Sequence, residues 1–137
     1  MRFFSLALSA LALSALAPAA AHASDEPKES SADRQMVAPN IVTPVVRDGK
    51  LVNYLFVTVE VDFTDKANAL KLRDRAHFLR DALLKASHRT PLADPKADDK
   101  LNTSAAIAVF RTAATSVLGA ENIKTVSIVA VDSLRRR

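Results

Sequence analysis

Residues 44–63, PVVRDGKLVNYLFVTVEVDF, decide the fold of this chain. In their second half apolar residues alternate with polar ones, as a strand with one buried face requires. Five apolar side chains share that face: Leu55, Val57, Val59, Val61 and Phe63. Residues 47–50 (RDGK) contain Asp-Gly, which tolerates the positive φ angles of a tight hairpin turn. The stretch therefore predicts a hairpin whose second strand faces the core.

The strand before the turn is predicted over residues 41–46. Pro44 places it at an edge of the sheet, because proline cannot donate a hydrogen bond to a neighbouring strand. A last strand is predicted over residues 123–131 (IKTVSIVAV).

Two helices are predicted between the second and third strands. Thr64 is expected to cap the first, which runs to about Ser87. Its apolar stripe is Ala69, Leu72, Ala76, Leu79, Leu83 and Ala86. The second is expected to begin between Asp98 and Ser104 and to end at Leu118, followed by Gly119 as a left-handed residue. Its apolar side is Ala106, Val109, Phe110, Ala113 and Val117, flanked by Ile107, Ala114 and Leu118.

The resulting order β-β-α-α-β predicts an α+β fold, a small, mostly antiparallel three-stranded sheet packed on two helices. Four regions are expected along the chain: a signal peptide (1–23), a flexible leader (24–35), a single domain (36–134) and a basic tail (135–137). The polar leader SDEPKESSADRQ has no large apolar residue.

The N-terminal segment predicts export. An apolar run over residues 3–17 follows Arg2, and Ala21 and Ala23 supply the small-x-small pattern before a cut at Ser24. An uncleaved inner-membrane anchor is the alternative, since a span needs about 20 apolar residues. The expected location of the domain is the periplasm.

Composition excludes several classes of function. The chain has no cysteine, so disulfides, thiol catalysis and cysteine metal ligands are ruled out. Its only two glycines serve a turn and a helix end, which leaves none for a phosphate-binding loop. Removing residues 1–23 takes away one charge, Arg2, and lowers the net charge from +4 to +3. An exported, mildly basic domain is not expected to bind nucleic acid.

Candidate chemistry is sparse. Asp74, His77, Asp81 and His88 share one helix face, but the two histidines would lie about 16 Å apart at 1.5 Å per residue, too far for one metal ion. Glu60 and Asp62 share the outer face of a strand, where charged residues ordinarily face water. Serines stand in no nucleophile motif. We therefore expect no enzymatic activity, catalytic residue, metal or cofactor.

Two surfaces are candidates for contacts. The second helix carries one charge between residues 101 and 120, which suggests a face for a partner or for self-association. That face comprises Arg111, Thr112, Thr115 and Ser116. Candidate contacts to an anionic surface are Lys71, Arg75, Arg135, Arg136 and Arg137.

Three segments resemble the extracytoplasmic domain of the flagellar basal-body-associated FliL family. They are residues 44–63, residues 72–84 (LRDRAHFLRDALL) and residues 123–134 (IKTVSIVAVDSL). The resemblance implies a non-enzymatic role beside the flagellar motor, association with stator units, oligomers and a fold similar to stomatin-type domains. The chain departs from the family pattern in its cleavable signal and its weakly charged second helix.

Two hypotheses follow. The first is a periplasmic, FliL-like interaction protein that supports the motor or stator through protein contacts. The alternative is a periplasmic domain in peripheral contact with the envelope, binding anionic lipid head groups or a cell-wall polymer through the basic residues named above.

Overall fold

The computed structural model describes residues 30–135. The predicted signal peptide, its cleavage residues Ala21, Ala23 and Ser24, and the tail residues Arg136 and Arg137 lie outside that range. The main elements are β1 (Gln35–Arg47), β2 (Lys50–Phe63), α1 (Ala69–Arg73), α2 (Ala76–Arg89), α3 (Thr103–Leu118) and β3 (Ile123–Ser133). Short 3-10 turns span Ser31–Arg34 and Ala120–Asn122. The α+β fold class is confirmed.

The sheet is antiparallel throughout, in the order β1-β2-β3, so β2 is the central strand. The predicted phase of β2 is correct, because its five alternating apolar side chains are at most 2% exposed. The turn before β2 is also as predicted, with positive φ at Asp48 (49°) and Gly49 (72°). β1 lies at an edge, as Pro44 requires.

The helices cover one face of the sheet. α2 packs on β1 and α3 on β3, and the two helices contact each other. The loop between them adds Leu92, fully buried, and Leu101, whose neighbour Asn102 donates its N–H to the Leu92 carbonyl at 2.8 Å. A single core therefore lies between the helices and the inner face of β2.

The prediction of one continuous helix from Thr64 to Ser87 is wrong. Thr64 is held elsewhere, because its hydroxyl donates to the Glu121 carbonyl and its N–H to the Asn122 carbonyl, both at 2.9 Å. Asn68 caps α1 instead, accepting from the Lys71 N–H at 3.1 Å. The helical path breaks at residues 74 and 75, so Ala76 opens α2 and is exposed rather than part of a buried stripe.

α3 begins within the predicted window, but its buried face is rotated. The fully buried positions are Ala106, Phe110, Ala114 and Leu118. The predicted apolar residues Val109, Ala113 and Val117 are half-buried, since they face α2 rather than the sheet. Gly119 has the predicted positive φ (87°), but its ψ of 137° is extended and not left-handed helical.

The ordered part of the domain begins before Met36. β1 starts at Gln35, and the turn before it occupies the end of the predicted flexible leader. The Ser30 hydroxyl and N–H donate to an Asp33 carboxylate oxygen, at 2.7 and 3.1 Å. These bonds, with the Arg73 guanidinium, hold the pKa of Asp33 below its usual value. Arg73 also donates to the Asp33 carbonyl at 2.7 Å, which ties the turn to α1.

The phase of β2 gives the first testable prediction. Val59→Asp places a carboxylate at a fully buried position, which costs several kcal/mol, and the variant should lose its cooperative unfolding transition. Thr58→Asp is the control, because Thr58 lies on the opposite, half-buried face and its replacement should cost about 1 kcal/mol. Thermal unfolding followed by circular dichroism distinguishes them. Equal melting temperatures would contradict the assigned phase.

A second prediction concerns Thr43, which is fully buried on β1. Within residues 30–135 its hydroxyl oxygen has no hydrogen-bond partner. Thr43→Val removes that unsatisfied group with little change in shape and should raise the free energy of unfolding by about 1 kcal/mol. Urea denaturation measures the change. A loss of stability would mean that the hydroxyl has a partner in the native protein.

Candidate functional site

A groove of about 720 Å³ lies between α2 and α3. No sheet residue lines it, so it lies on the outer side of the helical layer. Its apolar lining consists of Phe78, Ala82, Ala86, Ala108, Val109, Ala113 and Val117. Phe78 is 54% exposed, which makes it the prominent apolar side chain of this surface.

The groove exists because the facing side chains are short. Two alanines on α2 and two on α3 cannot fill the space between the helix backbones. Thr112 and Ser116 also line it, but their hydroxyls donate to carbonyls of their own helix, Ala108 at 3.1 Å and Ala113 at 2.6 Å. Such back-bonding satisfies these polar groups locally. The lining of the groove is therefore less polar than its residue types suggest, because these two hydroxyls are already bonded.

Charged residues lie on the α2 side of the groove. Lys85 and Asp81 form an i,i+4 ion pair at 2.8 Å, and Arg89 lies one turn beyond Lys85. The paired side chains are about 60% exposed, so the pair adds little to stability. Arg89 leaves the rim with an excess of one positive charge.

The predicted contact face of α3 is divided by the structure. Thr112 and Ser116 line the groove, whereas Arg111 and Thr115 do not. Arg111 is exposed and Thr115 is half-buried. The groove therefore includes two of the four predicted residues.

The predicted anionic-contact residues lie at opposite ends of the sheet. Lys71 and Arg75 follow the end of β2, whereas Arg135 lies beside Asn53 at its beginning. Ten residues of strand separate the two ends, about 33 Å at 3.3 Å per residue. These side chains cannot contact one small ligand together.

Arg135 belongs to a network built around Asn53. The buried Asn53 amide nitrogen donates to the Asp98 carbonyl at 2.9 Å and to the Ser133 hydroxyl at 2.7 Å. Its oxygen accepts the backbone N–H of Tyr54 at 2.8 Å and of Arg135 at 3.2 Å. The network joins β2, the loop before α3 and the end of β3, and three of its residues, Asn53, Asp98 and Arg135, line an adjacent pocket of about 200 Å³.

No metal centre is present in the described residues, where no three histidine or acidic side chains approach closely enough to hold an ion. His88 Nδ1 lies 2.8 Å from the Leu84 carbonyl oxygen of its own helix. The His77 ring lies against Phe78, with ring centres 4.0 Å apart. Glu60 and Asp62 are half-buried on the sheet face away from the helices.

Within residues 30–135 no helix combines the length and apolar character that crossing a bilayer requires. Comparisons with protein-family models, with curated proteins and with solved structures found no match to this chain.

The sequence analysis did not predict two of these features, the groove and the hydrogen bonds of Asn53. The groove depends on which helix faces meet, and its only local signal is the alanine pair at positions 82 and 86 opposite small residues of α3. Asn53 had a clearer signal, because it shares the phase of Leu55 and Val57 and so is a polar residue on the buried face of β2.

The network predicts a graded loss of stability. Asn53→Ala removes four hydrogen bonds and leaves buried partners unsatisfied, so unfolding should become easier by about 3 kcal/mol. Ser133→Ala removes one partner of the same amide and should cost about 1 kcal/mol. Urea denaturation of both variants measures the two losses of stability and shows which is larger. Equal effects would show that Asn53 does not bridge the three segments.

Proposed function

We propose that this chain is an exported, non-enzymatic interaction protein of FliL type, which supports the flagellar motor or stator through protein contacts. The observation that carries the interaction role is the apolar, unfilled groove between α2 and α3. The motor assignment is supported by the resemblance of residues 44–63, 72–84 and 123–134 to the FliL family. The strands and helices also follow one another in the order that this resemblance implies.

The groove suits a helical segment of a partner protein. It runs from residue 78 of α2 to Thr90, just beyond the end of that helix, about 18 Å at 1.5 Å per residue, which matches three turns of a bound helix. An amphipathic helix would place its apolar stripe against Val109, Ala113 and Val117. The unpaired charge of Arg89 favours an acidic residue at one flank of that helix.

The envelope-binding alternative gains no support from the arrangement of charges. Its described basic residues, Lys71, Arg75 and Arg135, lie at the two ends of the sheet, and a surface of anionic head groups would meet only one end at a time. Salt-sensitive binding to anionic vesicles would favour this alternative over the protein-partner role.

The proposal is tested by crosslinking in living cells. Because the chain has no cysteine, Phe78→Cys introduces a single thiol at the groove. A bifunctional thiol-amine reagent should then join the protein to stator or basal-body proteins. Leu70→Cys is the control, because Leu70 is 75% exposed on α1, away from the groove. The Leu70→Cys variant should give at least about tenfold less of the crosslinked stator or basal-body product, as expected for loss of one specific contact.

Deletion of the gene should reduce swimming. Normal motility together with no flagellar protein among the crosslinked products would overturn the motor role. Equal yields of a flagellar product from positions 78 and 70 would leave that role standing but contradict the groove as its binding surface.

A further inference from the structure

The two edges of the sheet differ in how they are protected. β1 carries Pro39 and Pro44, which have no N–H to offer a further strand. Its pairing is interrupted at residues 39 and 40, where Arg80 donates to the carbonyls of both residues. Such interruptions and prolines are how natural sheets block an edge.

β3 differs from β1 in having no proline. It is 11 residues long and pairs only with β2 in the part of the chain that the structure describes. Its pairing with β2 is also irregular, near residues 124 and 129. Between these points the strand presents backbone donors and acceptors to another strand. Val129 is 51% exposed and Val131 is 38% exposed, so this edge is partly apolar.

The charged residues of β3 are complementary between two copies of the strand in antiparallel orientation. Lys124 and Asp132 are its only charged residues, and each lies four positions from Ile128. Both are exposed, and neither forms an ion pair within residues 30–135. Antiparallel pairing of two β3 strands near Ile128 brings each lysine beside the aspartate of the other copy. Parallel pairing would place like charges together, which is unfavourable.

We propose that β3 pairs antiparallel with β3 of a second copy, forming a dimer with a continuous six-stranded sheet. The two-fold axis of such a pair is perpendicular to the sheet, so the helices of both copies lie on the same face. This contact is independent of the groove and of the motor role. It places self-association on a strand edge, and not on the residues of α3 that the sequence suggested.

The test is the oligomeric state of the purified exported protein, measured by analytical ultracentrifugation over a range of concentrations. The parent should show a concentration-dependent dimer. Val129→Lys places a charge on the open edge and should raise the dissociation constant at least about tenfold, a loss of about 1.4 kcal/mol. Val37→Lys is the matched control, because Val37 on β1 is also 51% exposed, and its dimer should be unchanged.

A charge exchange tests the antiparallel arrangement separately. Lys124→Asp and Asp132→Lys should each weaken the dimer, because each places like charges side by side, and the double variant should restore it. A monomeric parent, equal effects of Val129→Lys and Val37→Lys, or failure of the double variant to recover would overturn the proposal. Circular dichroism of each variant verifies that it is folded.

Discussion

Burial of the inner face of β2 is the constraint on which the rest of the structure depends. Within residues 30–135, β2 is the one strand with a neighbour on both sides, and its inner side chains meet α2, α3 and the loop between them. Burying one aliphatic or aromatic side chain contributes about 1.5–3 kcal/mol. Five such side chains contribute an amount comparable to the whole net stability of a small domain. The hairpin partner, the helical layer and β3 are arranged to exclude water from this one face.

Three arginines of the described residues are used within the fold to bond backbone carbonyls. Arg73 donates to carbonyls before β1, Arg80 to carbonyls within β1, and Arg47 to the Asp94 carbonyl and the Asp98 carboxylate. Each guanidinium satisfies backbone groups that an irregular segment leaves without a strand or helix partner. These arginines therefore act as ties between distant segments, and the net charge of the chain is a poor guide to its ligands.

The two surfaces left for contacts differ in kind. The groove offers an apolar trough for side chains, whereas the edge of β3 offers backbone hydrogen bonds. They lie on different layers, one on the outer side of the helices and the other in the plane of the sheet. A second copy at β3 would leave the groove on the outer side of the helical layer open to another protein.

The sequence by itself determined the features that depend on near neighbours. The alternation of β2, the Asp-Gly turn, the edge position of Pro44 and the order of elements follow from local periodicity and backbone preference. Only the tertiary structure decided the break at residues 74 and 75, the rotated face of α3, the groove and the bonds of Asn53. Thr64 is an acceptable helix cap locally, but its hydrogen bonds go to residues 121 and 122, far along the chain. The face of α3 that is buried likewise depends on where α2 and the sheet lie, and no spacing within the helix encodes those positions.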